Sequence, residues 1–122
     1  MLNLPEETFN KKDLPKIIRN MIKKYIENHK LSLSAHEEIM SMTHSDKDVA
    51  YYFYKRELDL TYKMSEMFKN NGFDIKNLDE KVHVIIGLID TLCHEIVYHK
   101  HENLNYDAMI NVVVNSIIDI LK

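Results

Sequence analysis

The last third of the chain reads as two helices that are apolar on too many sides. The first spans Asn77 to Lys100 and the second runs from Asn105 to the C-terminus. In the first, Val82, Val84, Ile85, Ile86, Leu88, Ile89, Leu92, Cys93, Ile96, Val97 and Tyr98 cover most of the circumference. In the second, Met109, Ile110, Val112, Val113, Val114, Ile117, Ile118, Ile120 and Leu121 leave a narrow polar stripe of Asn111, Asn115 and Asp119. A surface helix normally keeps one apolar stripe and charges the rest. A helix apolar all round must be covered all round, and a small domain has little interior for two of them. The pattern predicts burial against a second chain, with residues 77–122 forming a dimeric four-helix bundle. The expected interface is Val84, Leu88, Thr91 and Glu95 of the first helix and Ile110, Val114, Ile117, Ile118 and Leu121 of the second.

The remaining 76 residues or so form helices as well, by the same periodicity argument. Only 2 Gly and 2 Pro occur in 122 residues, too few turn residues for a sheet-rich fold. Leu14, Ile17, Ile18, Met21, Ile22, Tyr25 and Ile26 recur at three-four spacing, giving an amphipathic helix that Asp13 is placed to cap. Ser34 and Glu37 match a capping box opening a short helix to Thr43. Ser45 with Asp46 starts a long helix that Gly72 ends, with Val49, Phe53, Leu60, Met64 and Met67 facing inward. Asn77 and Glu80 repeat the capping pattern. Residues 1–12 read as a frayed lead-in or as the tail of a preceding helix. The expectation is a single all-α domain over 1–122 with five helices, six if the lead-in forms one.

Composition excludes several classes of function. The net charge is -3 and no Lys/Arg run exceeds two residues, as at Lys23-Lys24, so the footprint of a nucleic-acid binder is missing. The basic face of Lys16, Arg19, Lys23 and Lys24 reads as solvated. The single cysteine, Cys93, lies in an apolar run and reads as core. One thiol gives no disulfide framework, which suits a reducing cytoplasm. His83, Asp90, His94 and Glu95 interrupt the most apolar run, so it is not membrane-spanning. No Gly-rich phosphate loop and no nucleophile or zincin motif occurs, which argues against an enzyme and gives no catalytic residues.

Candidate binding residues are the polar minority on inner faces. Glu57 falls four residues after Phe53 and three before Leu60, where an unpaired carboxylate is costly. It is either paired with Arg19 or Lys55 or an anchor in a ligand cavity. Asp90 and His94, and Glu95 and His99, are spaced i, i+4. They fit interhelical hydrogen bonding, ligand contact or metal ligation. Two Glu-x-x-His motifs, which a di-iron bundle needs, do not occur, which weighs against metal, and neither metal nor cofactor is expected. Gly87 and Thr91 leave a shallow groove for another helix. Met21, Tyr25, Met40, Tyr54 and Met64 either fill the core or line an adaptable pocket. The expected ligand site is Tyr25, Met40, Tyr54, Glu57, Asp90 and His94, in a pocket bounded by the helices at 13–29, 34–43, 45–71 and 77–100.

These features together suggest a family. From Leu14 onward the chain resembles the C-terminal effector-binding and dimerisation domain of TetR-type transcriptional regulators. Residues 13–44 are similar to that domain's shorter helices and 45–72, with its Met-Phe-x-x-Asn-Gly close, to its long central helix. Leu88-Ile-Asp-Thr-Leu-Cys-His-Glu-Ile-Val97 and the final Val/Ile helix are similar to its dimer-forming pair. The resemblance implies a cytoplasmic homodimer that binds a small effector and controls a helix-turn-helix domain. These 122 residues contain no such domain, so DNA contact would run through a part of the regulator outside this sequence. The competing reading is a stand-alone helical dimer serving as a protein-interaction or metal-binding module.

Overall fold

The computed structural model describes residues 1–122 apart from Met1, Asn3, Glu6 and Lys30. After one 3-10 turn at Lys11–Asp13 come α1 (Leu14–Glu27), α2 (Leu33–Ser45), α3 (Lys47–Asn70), α4 (Leu78–Tyr98) and α5 (Tyr106–Ile120). Among the described residues there is no strand. The all-α expectation is met, with five α-helices.

The helix boundaries follow from which polar side chains reach the first free amides. Asp46 alone separates α2 from α3, and its Oδ1 accepts from the Asp48 and Val49 amides at 2.9 and 3.4 Å. Asn105 caps α5 through the Ala108 amide at 3.0 Å. Three expected caps are displaced. Ser32, not Ser34, caps α2, accepting from Ala35 N–H at 3.1 Å, because the helix opens two residues earlier than the Ser34–Glu37 pair suggests. Asp13 is already in helical conformation within the 3-10 turn, and its side chain makes no capping bond. Asn77 sits in the left-handed region (φ 57°, ψ 40°), where it turns the chain instead of capping α4 with its amide.

The end of α3 is as expected, in a complete form. Gly72 takes φ 85°, which costs a residue without a Cβ nothing. Its amide donates to Lys69 O at 3.1 Å and the Phe73 amide to Phe68 O at 3.0 Å. The two rings then meet edge to face at 5.2 Å, the apolar contact that accompanies this kind of helix end.

α4 lies against α1, α3 and α5, and that position explains its unusual apolarity. Val82, Ile85, Ile86, Ile89, Leu92 and Cys93 are buried within the chain itself, against Ile18 and Ile22 of α1 and Met64 and Phe68 of α3. Val114, Ile117 and Leu121, expected at a dimer interface, fill the same core. The chain's own packing thus covers three of the nine residues expected at a second chain, Val114, Ile117 and Leu121.

The lead-in is docked. Leu2 is buried, and Leu4 and Phe9 pack on the core. The Phe9 amide donates to Asn71 Oδ1 at 2.7 Å, and Lys11 lies over the Phe73 ring. By contrast no residue of α2 is buried, and α3 is buried only from Thr61 onward. Phe53, expected inward, is 37% exposed, in the part of α3 where no residue is buried. No helix among the described residues is long and apolar enough to cross a membrane.

Candidate functional site

The expected ligand residues divide among separate places. Tyr25, Asp90 and His94 do come together where the end of α1 meets α4. Tyr25 is brought there by the inward face of α1, and Asp90 and His94 by successive turns of α4. Tyr25 OH donates to Asp90 Oδ1 at 2.7 Å and lies 3.4 Å from His94 Nε2. Asp90 Oδ2 stands 3.5 Å from His94 Nδ1. Met40 and Tyr54 are elsewhere, 43% and 70% exposed on the α2–α3 hairpin. Glu57 is on the surface too, and its partner is neither Arg19 nor Lys55. It pairs with His83 Nε2 at 3.4 Å, while His83 Nδ1 meets Thr61 Oγ1 at 3.0 Å. Arg19 instead donates to the Asn111 side-chain oxygen. Glu95 stands 4.0 Å from His101, not paired with His99. Met21 and Met64 are core filling.

Three residues that the sequence reading passed over complete the corner. His29 lies 5.2 Å from the Tyr25 ring and 5.5 Å from His94. His36, the reach of α2 to the rest of the chain, lies 4.8 Å from His94 and stacks on Tyr98 at 4.4 Å. Tyr98 OH donates to Leu31 O at 3.0 Å. His29 and Tyr98 each follow a corner residue by four positions, a signal present in the sequence. His36 carries none, since only the fold of α2 over α4 brings it in.

Burial sets the charge state of this corner. It holds His94 and His29 below the usual imidazole range, with neighbouring imidazoles adding to the effect and Asp90 opposing it. Burial and then the hydrogen bond to Asp90 push the Tyr25 phenol well above its ordinary value. At neutral pH the corner therefore offers uncharged imidazole and phenol faces beside one carboxylate. Such a set can stack on a planar ligand and hydrogen-bond to it. Among the described residues no three His, Cys, Asp or Glu groups are set to hold a metal ion, and the ring contacts here are face and edge packing. Burial pushes the Cys93 thiol up to about 12, so it is an inert core group.

The second feature is an open groove of about 430 Å³ between α4 and α5. Val84, Gly87, Leu88, Thr91, Leu92 and Glu95 line it from α4, and Met109 and Val113 from α5. Val84 is 55% exposed. Nothing lies within 4 Å of where a Cβ on Gly87 would stand. Glu95 Oε2 is buried without a hydrogen-bond partner. Of the expected interface, Val84, Leu88, Thr91 and Glu95 thus line an open face, whereas Ile110 and Ile118 are half-buried and are not among its lining residues.

Comparison with known proteins finds no family model, no curated protein and no solved structure that matches this chain.

Proposed function

We propose that this chain is a regulatory domain that homodimerises through α4 and α5 and binds a small effector at the corner between α1, α2 and α4. In that role it resembles the C-terminal half of a TetR-type regulator, and a DNA-reading domain outside these residues would be what it controls. The observation that carries the reading is the face of α4 and α5. Val84, Leu88, Met109 and Val113 present apolar surface around the Gly87 notch, with no cation among the groove residues. Contiguous apolar surface of this kind marks a protein contact.

The corner supports the effector half of the reading. It is half-buried, mixes aromatic and polar groups, and sits where His36 of α2 meets His94 and Tyr98 of α4. α2 has no buried residue, so a ligand bridging that junction would change how tightly α2 is held. An effector acts only through such a difference in affinity between two arrangements.

Light scattering coupled to size exclusion is expected to give twice the chain mass at tens of micromolar. Gly87→Gln is the matching variant. Its side chain enters open space, and replacing a mid-helix glycine with a good helix former gains roughly 0.5–1 kcal/mol. The variant is expected to melt no lower than the parent and to dimerise more weakly. A parent chain that runs as a monomer removes the reading. A Gly87→Gln dimer of unchanged affinity moves the interface away from this groove.

A further inference from the structure

The charges at the ends of the α4 face specify how a second copy would lie on it. Lys81, Val84, Leu88, Thr91 and Glu95 follow one another at alternating spacings of three and four residues, a single stripe along the helix. Lys81 and Glu95 stand seven residues to either side of Leu88. At about 1.5 Å per residue, each is roughly 10 Å from that midpoint. Between them the stripe carries no charge. At one end, Glu95 has a buried Oε2 without a partner, and its other oxygen reaches only as far as His101 at 4.0 Å. At the other end Lys81 is half-exposed and, among the described residues, enters no ion pair.

We infer that the second copy packs its α4 antiparallel to the first about a two-fold axis at Leu88, so that Lys81 of each copy meets Glu95 of the other. This rests on the dimer reading above and adds its register. A two-fold contact must be self-complementary. A parallel pairing would set Lys81 against Lys81 and Glu95 against Glu95. The antiparallel one places opposite charges together twice, with Lys81 meeting the exposed part of the Glu95 carboxylate. It also stacks the small residues Gly87 and Thr91 close to the axis, where the backbones must approach most closely. Leu88 then meets its own symmetry mate.

Charge reversal tests the register. Sedimentation equilibrium on the full chain would compare the parent with Lys81→Glu, Glu95→Lys and the double exchange. Two interfacial pairs lost together are expected to raise the dimer Kd about tenfold in each single variant. The double exchange is expected to return it close to the parent value, because the pairs re-form with their signs reversed. Thermal melts of each variant check that the fold is intact. Cysteine pairing reads the same geometry without altering charge. Leu88→Cys is expected to cross-link two chains on mild oxidation and Val84→Cys is not, since only the residue on the axis faces itself within disulfide reach. The native Cys93 is buried and stays silent. Single reversals without effect, a double exchange that fails to recover, or cross-linking at 84 and not at 88 would each overturn the register while the dimer stands. A monomeric parent removes both.

Discussion

Three imidazoles share the corner with one carboxylate. That ratio fixes how the residues respond to acid. His94 and His29 are neutral in the fold because burial disfavours their charged forms, and each has His neighbours that would repel a second proton. Their folded pKa values lie below the unfolded value of about 6.5. Between the two values the unfolded chain binds more protons, so stability rises with pH across that window. The contribution is complete above about 6.5 and is lost as pH falls toward the lowered folded values. Asp90, which favours the protonated imidazole, softens the loss without reversing it. Denaturant melts between about pH 7 and pH 5 are expected to show falling stability, with a shallower fall in His94→Gln. A slope unchanged by that substitution would place the pH dependence elsewhere. Of the corner, Tyr25, Asp90 and His94 were legible as polar interruptions of apolar faces. His36 was not, since its neighbours lie on α4 at a distance along the chain that no local spacing encodes.

At the scale of the helix, ends were harder to read than faces. Ser32 and Ser34 are the same residue type two positions apart, and the local pattern favoured the one followed by Glu37. The cap went to the other, which accepts from the Ala35 amide. Ser32→Ala is therefore expected to cost about 1 kcal/mol and Ser34→Ala only a few tenths, read by urea melts. Equal losses would contradict the assignment of the cap. Gly72 was decisive from sequence because only an uncrowded residue takes its φ of 85° cheaply. Asn77 reaches the same region without that advantage, and the capping motif it opens does not form. The inner face of α3 was read correctly at Met64 and Met67 but not at Phe53. Periodicity finds the stripe, and nothing in it says how far along the helix a neighbour extends.

The whole molecule divides into a packed body of α1, α4, α5 and the end of α3, and a hairpin of α2 with the start of α3 that is largely exposed. The body leaves one apolar face open and the hairpin is held to it at the corner; in the proposed reading the face serves assembly and the corner a ligand-dependent change. The same reading leaves DNA recognition to a domain outside these residues. The chain carries -3 net charge, and Arg19 on its most basic helix is engaged with Asn111. Base reading needs an element that enters a groove together with a surface that meets phosphates. In a mobility-shift assay at physiological salt, the 122 residues are expected to bind an operator and scrambled DNA equally weakly, with steep salt dependence. Tight, sequence-selective binding would reveal a DNA-reading surface within this chain.

The sequence by itself determined that the chain is helical and that it forms five α-helices, because periodicity and the scarcity of Gly and Pro act locally. It also marked α4 and α5 as too apolar for a surface. How that apolarity is shared between the chain's own core and a surface open to a partner was decided only by the tertiary structure. α4 is flanked on three sides, so Val114, Ile117 and Leu121 turn inward and only the Val84–Glu95 stripe with its α5 neighbours is left open. The same holds for the corner. Each helix supplies one or two polar groups, and their meeting depends on crossing positions that burial of the whole core sets.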